Sequence, residues 1–388
     1  MFLKIKKKAI GAIEFLLLVF ILVLYHHYKP VFLQIFNTSF GMDFQWQPSK
    51  CLFEGINHYS SYLLKDGICP KFMGQGGEYA HGLYVLLYPF TLLEWTTAKL
   101  LWSLTNIILI TTITIFLSKK LRLGNLAMLM AIFFILYSKV TLVNIFQGQQ
   151  TILTLFFFIL PCINRSSYSY IFSGICFYKY NIGYVFLLFY LVSQKYKNLF
   201  FFLLPSIVGL ILYCFIAKTN FLDTFLQPIH LTLKINSTLS QKFLFSFIKD
   251  FFFFSPITNL VFTLIATLIF NFFFICKIVK ISDELLKISC LLILALISMP
   301  HWGHDYILLV PLFIHSLKNY KKNLLLIKFN LFVSVYFLHF YNKIPQLIFK
   351  SNINIYFHPI FFEIALLLIT LILNLNIFIK KLPKGFLS

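Results

Sequence analysis

The chain has 388 residues, of which 60% are hydrophobic, and carries 33 Lys and Arg against 12 Asp and Glu, for a formal net charge of +21. A mean hydropathy of +0.85 excludes a soluble globular domain. Apolar spans of about 16 to 25 residues recur from end to end, the pattern of a polytopic all-α membrane protein, whereas a β-barrel would alternate apolar and polar residues. Nucleic acid is not an expected partner. The lysines stand in short clusters between apolar spans, where positive-inside topology places them and where they face anionic lipid headgroups. No room remains for a soluble domain, so residues 1–388 are read as one membrane-embedded domain.

In chain order, Lys4, Lys6, Lys7 and Lys8 are placed in the cytoplasm. Residues 9–25 form the first span. No small-residue cleavage site follows it, so it reads as an uncleaved signal anchor. Residues 26–81 are then a large extracytoplasmic loop. Its core, 41–81, holds Asp43, Glu54, Asp66 and Glu78, four of the chain's twelve acidic residues. A polar segment of that length in so apolar a chain is functional or disordered, and its aromatic residues argue against disorder. Cys51 and Cys69 share the loop. They are read either as a disulfide, if the loop faces an oxidising compartment, or as two free thiols.

Residues 82–95 contain Pro89 and are too short to cross, so they dip into the outer interface. Residues 97–117 cross inward to Lys119, Lys120 and Arg122. Residues 123–142 cross outward to the polar knot Asn144, Gln147, Gly148, Gln149 and Gln150, and 149–164 returns to Arg165. The stretch 168–193 has basic residues at both ends. It is expected to go out and come back as two short helices turning near Lys179, Tyr180 and Asn181. Residues 199–217 exit, 218–254 form a second outer segment with Asp223, Pro228, His230 and Asp250, and 255–279 re-enter. Residues 288–300 exit to His301, Trp302, Gly303, His304 and Asp305. Residues 305–317 return, 323–341 exit, and 357–379 return to Lys380, Lys381 and Lys384. The expectation is about 10–12 transmembrane helices with both termini cytoplasmic, dense lysine clusters on one side and the other polar chemistry opposite.

Four polar clusters therefore reach the outer face. Asp43 reads as a general base taking a proton from an attacking hydroxyl, or equally as the cap of a juxtamembrane helix. Glu54, before Gly55 and Asn57, suits a helix end. Glu78 lies in a glycine run that lacks the strand, helix and terminal Lys of a phosphate-binding loop. Lys179, at the middle of its stretch, needs a partner or water. It is read as a cation for a lipid-phosphate group or as a lysine snorkelling to the interface. His301, His304 and Asp305 have the spacing His-x-x-His-Asp, which suits phosphate or sugar hydrogen bonds, an interfacial anchor or, least, a metal. Trp302 offers a face to a sugar or to the interface. Gln147 and Gln149 suit sugar hydroxyls and helix–helix hydrogen bonds equally. Glu14 and Glu363 lie inside spans and receive no role.

These clusters, in this order, resemble the GT-C membrane glycosyltransferases. The similarity is greatest to glycosyltransferase family 87, which includes bacterial polyprenol-phosphate-mannose-dependent mannosyltransferases that build phosphatidylinositol mannosides. Asp43-Phe44 with Leu52, Gly55 and Tyr59 resembles the family's loop after the first span. Gln147-Gly148-Gln149 resembles its Gly-Gln motif, Gly174 with Lys179 its Gly…Lys turn, and Trp302, His304, Tyr306 and Pro311 its Trp-x-His…Pro motif. Three features depart from the family. The Pro after the loop tyrosine is replaced near His81-Gly82, the Pro after the motif lysine is absent, and the second of the paired His residues is Asp305.

The resemblance implies a GT-C-like bundle in the inner (plasma) membrane with an extracytoplasmic active site. It implies inverting transfer of a hexose, mannose first, from a polyprenyl-phosphate sugar to a lipid or glycan acceptor. Asp43 would be the base, and Lys179 and His304 would hold the donor phosphate. Gln147, Gln149, Trp302, His301 and Asp305 would line the substrate site, and the loop 41–81 would cover it. A donor linked through a phosphate monoester does not strictly require a metal, so no metal and no other cofactor is expected. Expected partners are the donor, the acceptor and membrane lipids. The rival readings are a lipid or polysaccharide transporter, which would place polar residues along a path through the membrane, and an envelope polysaccharide ligase or polymerase.

Overall fold

The computed structural model describes residues 44–70, 79–163, 166–236, 256–299, 301–320, 325–341 and 357–379. The expected first span at 9–25, Asp43, Glu78 and its glycine run, Asp250 and the basic C-terminus lie outside the described residues. Every regular element among the described residues is helical. The chain is an all-α polytopic membrane protein.

The described part of the loop expected outside, residues 44–70, is not irregular. It folds as two short helices, α1 (Trp46–Phe53) and α2 (His58–Leu64). Glu54 ends the first, and the Asn57 side chain accepts the Tyr59 and Ser60 backbone N–H groups to start the second, satisfying donors a helix start leaves open. Asp66 accepts from the Ser61 hydroxyl and the Ile68 N–H. Two of the loop's four acids are thus engaged in local structure. Cys51 and Cys69 are joined as a disulfide, with Cα atoms 5.9 Å apart.

Residues 82–95 are covered by α3 (His81–Leu86) and α4 (Tyr88–Thr91), with Pro89 in the first turn of the second. Both are too short to cross a membrane. Next come α5 (Trp95–Lys120), α6 (Asn125–Leu136), α7 (Lys139–Gln147) and α8 (Thr151–Ile163). Helices α6 and α7 are bent by 54° where Ser138 caps the second. Helix α9 (Ser167–Ser173) runs into a 3-10 turn, Gly174–Tyr178, breaks at Lys179 and resumes as α10 (Tyr180–Val192). These are the two short helices expected for 168–193, and they meet at Lys179 as expected. The chain continues through α11 (Tyr196–Ala217), α12 (Phe221–Asn236), α13 (Pro256–Ile278) and α14 (Glu284–Ser298). A 3-10 helix, Gly303–Leu309, leads into α15 (Val310–Asn319). Then follow α16 (Leu325–Val335), ending in a π turn Tyr336–Phe340, and α17 (Phe357–Ile379).

Among the described residues, α5 and α11 are each long and apolar enough to cross a membrane, and α6 with α7 makes a third if the bent pair is one span. Five shorter apolar helical stretches, at 151–162, 180–192, 264–278, 325–340 and 362–376, accompany them. Helix α14 is the centre of the core, buried on every side from Ile288 to Ser298 and packed against α10, α13, α15 and α17. An apolar circumference without a polar stripe is what makes such a helix central. Helices α3 and α11 touch through glycines: a Cβ on Gly209 would lie 2.5 Å from the Gly82 Cα. Small residues allow that approach.

The bundle has two chemically different ends. At one, Lys120 donates to the Cys162 carbonyl and lies 3.7 Å from Glu284, while Lys318 donates to the Arg122 carbonyl. At the other, the start of α8 and Lys179 before α10 meet the residues between α14 and α15, and α5 meets the turn between α7 and α8. That second end holds the polar clusters.

Candidate active site

The break between the 3-10 turn and α10 sets Lys179 as the residue preceding α10, with φ −100° and ψ 76°. Its side chain turns inward and is 6% exposed. The ammonium forms an ion pair with Asp305 and donates to the Thr151 hydroxyl at 2.7 Å. Thr151, first residue of α8, donates in turn to Asp305 Oδ1 at 2.6 Å, and the Trp302 backbone N–H reaches Asp305 Oδ2 at 3.1 Å. An ammonium, a hydroxyl and an amide thus converge on one buried carboxylate and hold it ionised. Lys179 is paired inside the protein and does not reach out to an interface. Its ammonium has three N–H groups; two are used by Asp305 and Thr151.

His304 is 8% exposed, and its Nε2 lies 3.6 Å from Asp305 Oδ1. Burial is the main cause lowering its pKa to about 4; Lys179 and His301 push the same way, and Asp305 opposes them. The imidazole is therefore neutral at pH 7, a hydrogen-bonding group rather than a cation. Its backbone carbonyl accepts from Asn144 Nδ2 at 2.6 Å, which ties the 303–309 turn to α7.

The turn joining α7 to α8 builds the adjoining wall. Gly148 takes φ +66°, and a Cβ there would meet Phe44 Cβ at 2.8 Å and Lys99 Nζ at 3.0 Å. Both the left-handed backbone and the close approach call for glycine. Lys99 Nζ donates to the Phe146 carbonyl at 2.9 Å and Trp102 Nε1 to the Gly148 carbonyl at 3.1 Å. Gln150 Nε2 donates to the Phe44 carbonyl at 2.8 Å, and the Tyr79 hydroxyl donates to Gln149 Oε1 at 3.3 Å. Phe44 stacks on Trp102 with ring centroids 5.2 Å apart. The loop that begins at Phe44 is thus seated directly on the Gln147–Gln150 turn. Asp43, the preceding residue, is outside the described residues.

Of the expected site residues, Lys179, His304 and Asp305 are brought together, with Gln149 on the neighbouring turn. Gln147 is half-buried at the end of α7, and Trp302 is exposed. His301 is buried and turned toward Tyr306, whose hydroxyl donates to Glu363 Oε2 at 2.6 Å. Sequence reasoning missed Thr151, Trp102 and Lys99. Lys99 lies near the start of α5, where a lysine is ordinary in sequence, and only the structure shows it buried. Among the described residues no three His, Cys, Asp or Glu side chains group as a metal site.

The fold and this polar cluster define a polytopic helical membrane protein with a buried, charged site at one end of its bundle. The profile of glycosyltransferase family 87 matches residues 79–300. The chain belongs to that family and is a membrane glycosyltransferase. No curated protein and no solved structure matches it significantly. The family match spans Gln147 to Lys179 and stops just before His301.

Proposed function

We propose that the protein transfers a hexose, mannose first, from a polyprenyl-phosphate sugar to a lipid or glycan acceptor on the extracytoplasmic face of the inner membrane, with inversion. The observation that carries this reading is the Lys179–Asp305–Thr151 cluster, with His304 beside it, buried at the bundle end opposite the lysine clusters in a family 87 chain. The Cys51–Cys69 disulfide supports the side: such bonds persist in oxidising compartments. Placement of the lysine clusters at the other end supports it independently.

In this mechanism Asp43 takes the proton of the acceptor hydroxyl. The acceptor oxygen forms its bond to the anomeric carbon as the bond to the phosphate oxygen breaks, and polyprenyl phosphate departs with that electron pair. The remaining Lys179 N–H meets a phosphate oxygen as negative charge builds there, and neutral His304 donates a hydrogen bond to the same group. Asp305, assigned to the substrate by its motif, instead aims Lys179 and cancels part of its charge. Gln147, Gln149 and Trp302 are the sugar contacts, with His301 behind them.

The test is purified protein incubated with polyprenyl-phosphate mannose, glucose and galactose, each with a membrane lipid extract. The expected products are a hexosylated lipid or glycan of inverted anomeric configuration and free polyprenyl phosphate. Transfer from nucleotide sugars alone would overturn the donor assignment.

A further inference from the structure

At the lysine-rich end, a recess opens between α8, α9, α10 and α14. It is lined by Phe158, Tyr170, Phe186, Tyr190 and Leu291, and encloses about 520 Å³ including its open mouth. Lys195 and Lys287 stand at its edge, and Glu284, the one carboxylate among the described lining residues, lies 3.7 Å from Lys120. The recess is far from the catalytic end. Helix α8 carries Thr151 at one end and Cys162, a lining residue, at the other, a run of about 16 Å at about 1.5 Å per residue.

We propose that this recess binds an anionic phospholipid from the leaflet at the lysine-rich end, with the phosphate between Lys195 and Lys287 and the upper part of one acyl chain against the aromatic wall. Charge complementarity selects the class. Among the described residues, Lys195 and Lys287 line the rim with one carboxylate, Glu284, which Lys120 also approaches, whereas the wall beneath them is apolar. Basic pockets between membrane helices recognise anionic headgroups in this way. Access is from the lipid side: Tyr168 and Phe172 of α9, Leu191 of α10 and Tyr196 next to Lys195 are large and exposed, as expected of a surface that faces acyl chains. Neither headgroup nor chain alone accounts for a basic rim over an apolar recess, whereas a phospholipid supplies both. The site is separate from sugar transfer and does not depend on the donor proposed above.

The test uses full-length protein in neutral detergent, titrated with phosphatidylglycerol or phosphatidylcholine and read by native mass spectrometry and thermal unfolding. Phosphatidylglycerol is expected to be retained on the protein and to raise Tm, and phosphatidylcholine to do neither. Lys195→Glu with Lys287→Glu removes both effects. Lys277→Glu with Lys280→Glu, at the same end but outside the recess, keeps them. Ile288→Trp narrows the recess with all lysines intact and weakens retention. Inorganic phosphate at the same concentration does not raise Tm, which excludes a free-anion site. Equal retention of the two lipids, full retention by the Lys195/Lys287 or Ile288 variants, or loss in the Lys277/Lys280 control would overturn the proposal.

Discussion

Lys179 and Asp305 are 126 residues apart in the chain and form a buried ion pair, with Thr151 bonded to both. Removing one partner of a buried pair costs about 3–5 kcal/mol, because the other charge stays behind. Lys179→Met and Asp305→Leu are each expected to lower Tm markedly, and the double variant to recover most of the loss. Sugar transfer is expected to be lost in all three, because the two Lys179 variants lack the ammonium that meets the phosphate and Asp305→Leu leaves it without the carboxylate that aims it. Recovery of transfer in the double variant would make Lys179 purely structural.

Asp43 is the proposed base, so Asp43→Asn is expected to express and fold normally and to lower turnover by about 10²–10⁴-fold, the usual worth of general base catalysis. Donor affinity, measured by binding of the polyprenyl-phosphate sugar, is expected to hold. Full transfer by this variant would refute the assignment.

Gly148 is left-handed and pressed against Phe44. Gly148→Ala is expected to cost at least about 1 kcal/mol for the backbone conformation, with a further loss from the contact. The displaced Phe44 turn should show as a larger fall in turnover than in donor binding. Phe44→Gly in the same chain removes the Cβ that the new methyl meets, and partial rescue of turnover would identify the contact as the cause.

The Cys51–Cys69 bridge closes the loop that holds α1 and α2 across 18 residues. Cys51→Ser with Cys69→Ser is expected to cost about 3 kcal/mol, seen as a lower Tm and faster proteolysis within the loop. In intact cells neither cysteine should react with a membrane-impermeant maleimide until a reductant is added. Labelling before reduction would show free thiols.

Three buried histidines, His58, His81 and His304, have pKa values lowered chiefly by burial, the last two to about 4. Unfolded, each binds a proton near pH 6.5, so between about pH 6.5 and 4 the unfolded chain holds more protons than the folded one. Stability therefore falls as pH falls through that window. His81 Nε2 lies 2.9 Å from the Thr224 carbonyl. His81→Gln is expected to flatten the dependence of Tm on pH between those limits, whereas an unchanged slope would assign the acid sensitivity elsewhere.

Much of the fold was legible in the amino-acid sequence because hydropathy and lysine placement are one-dimensional properties. The apolar spans, the short pair turning at Lys179, the shortness of 82–95 and the segregation of lysines from other polar groups could all be read along the chain. Four motifs in order pointed to the family, and they named Lys179, His304 and Asp305. What those residues do to one another was decided only in three dimensions. Asp305 stood as a replacement for a histidine in a substrate motif, and its partner lies on another helix with no fixed spacing to reveal it. Thr151 and Lys99 drew no notice, since a threonine at a helix start and a lysine near a span end are ordinary until packing buries them. The cysteine pairing likewise waited on the fold, because a disulfide needs Cα atoms within about 7 Å, a distance set by α1, α2 and the Asp66 turn that follows them and not encoded in composition.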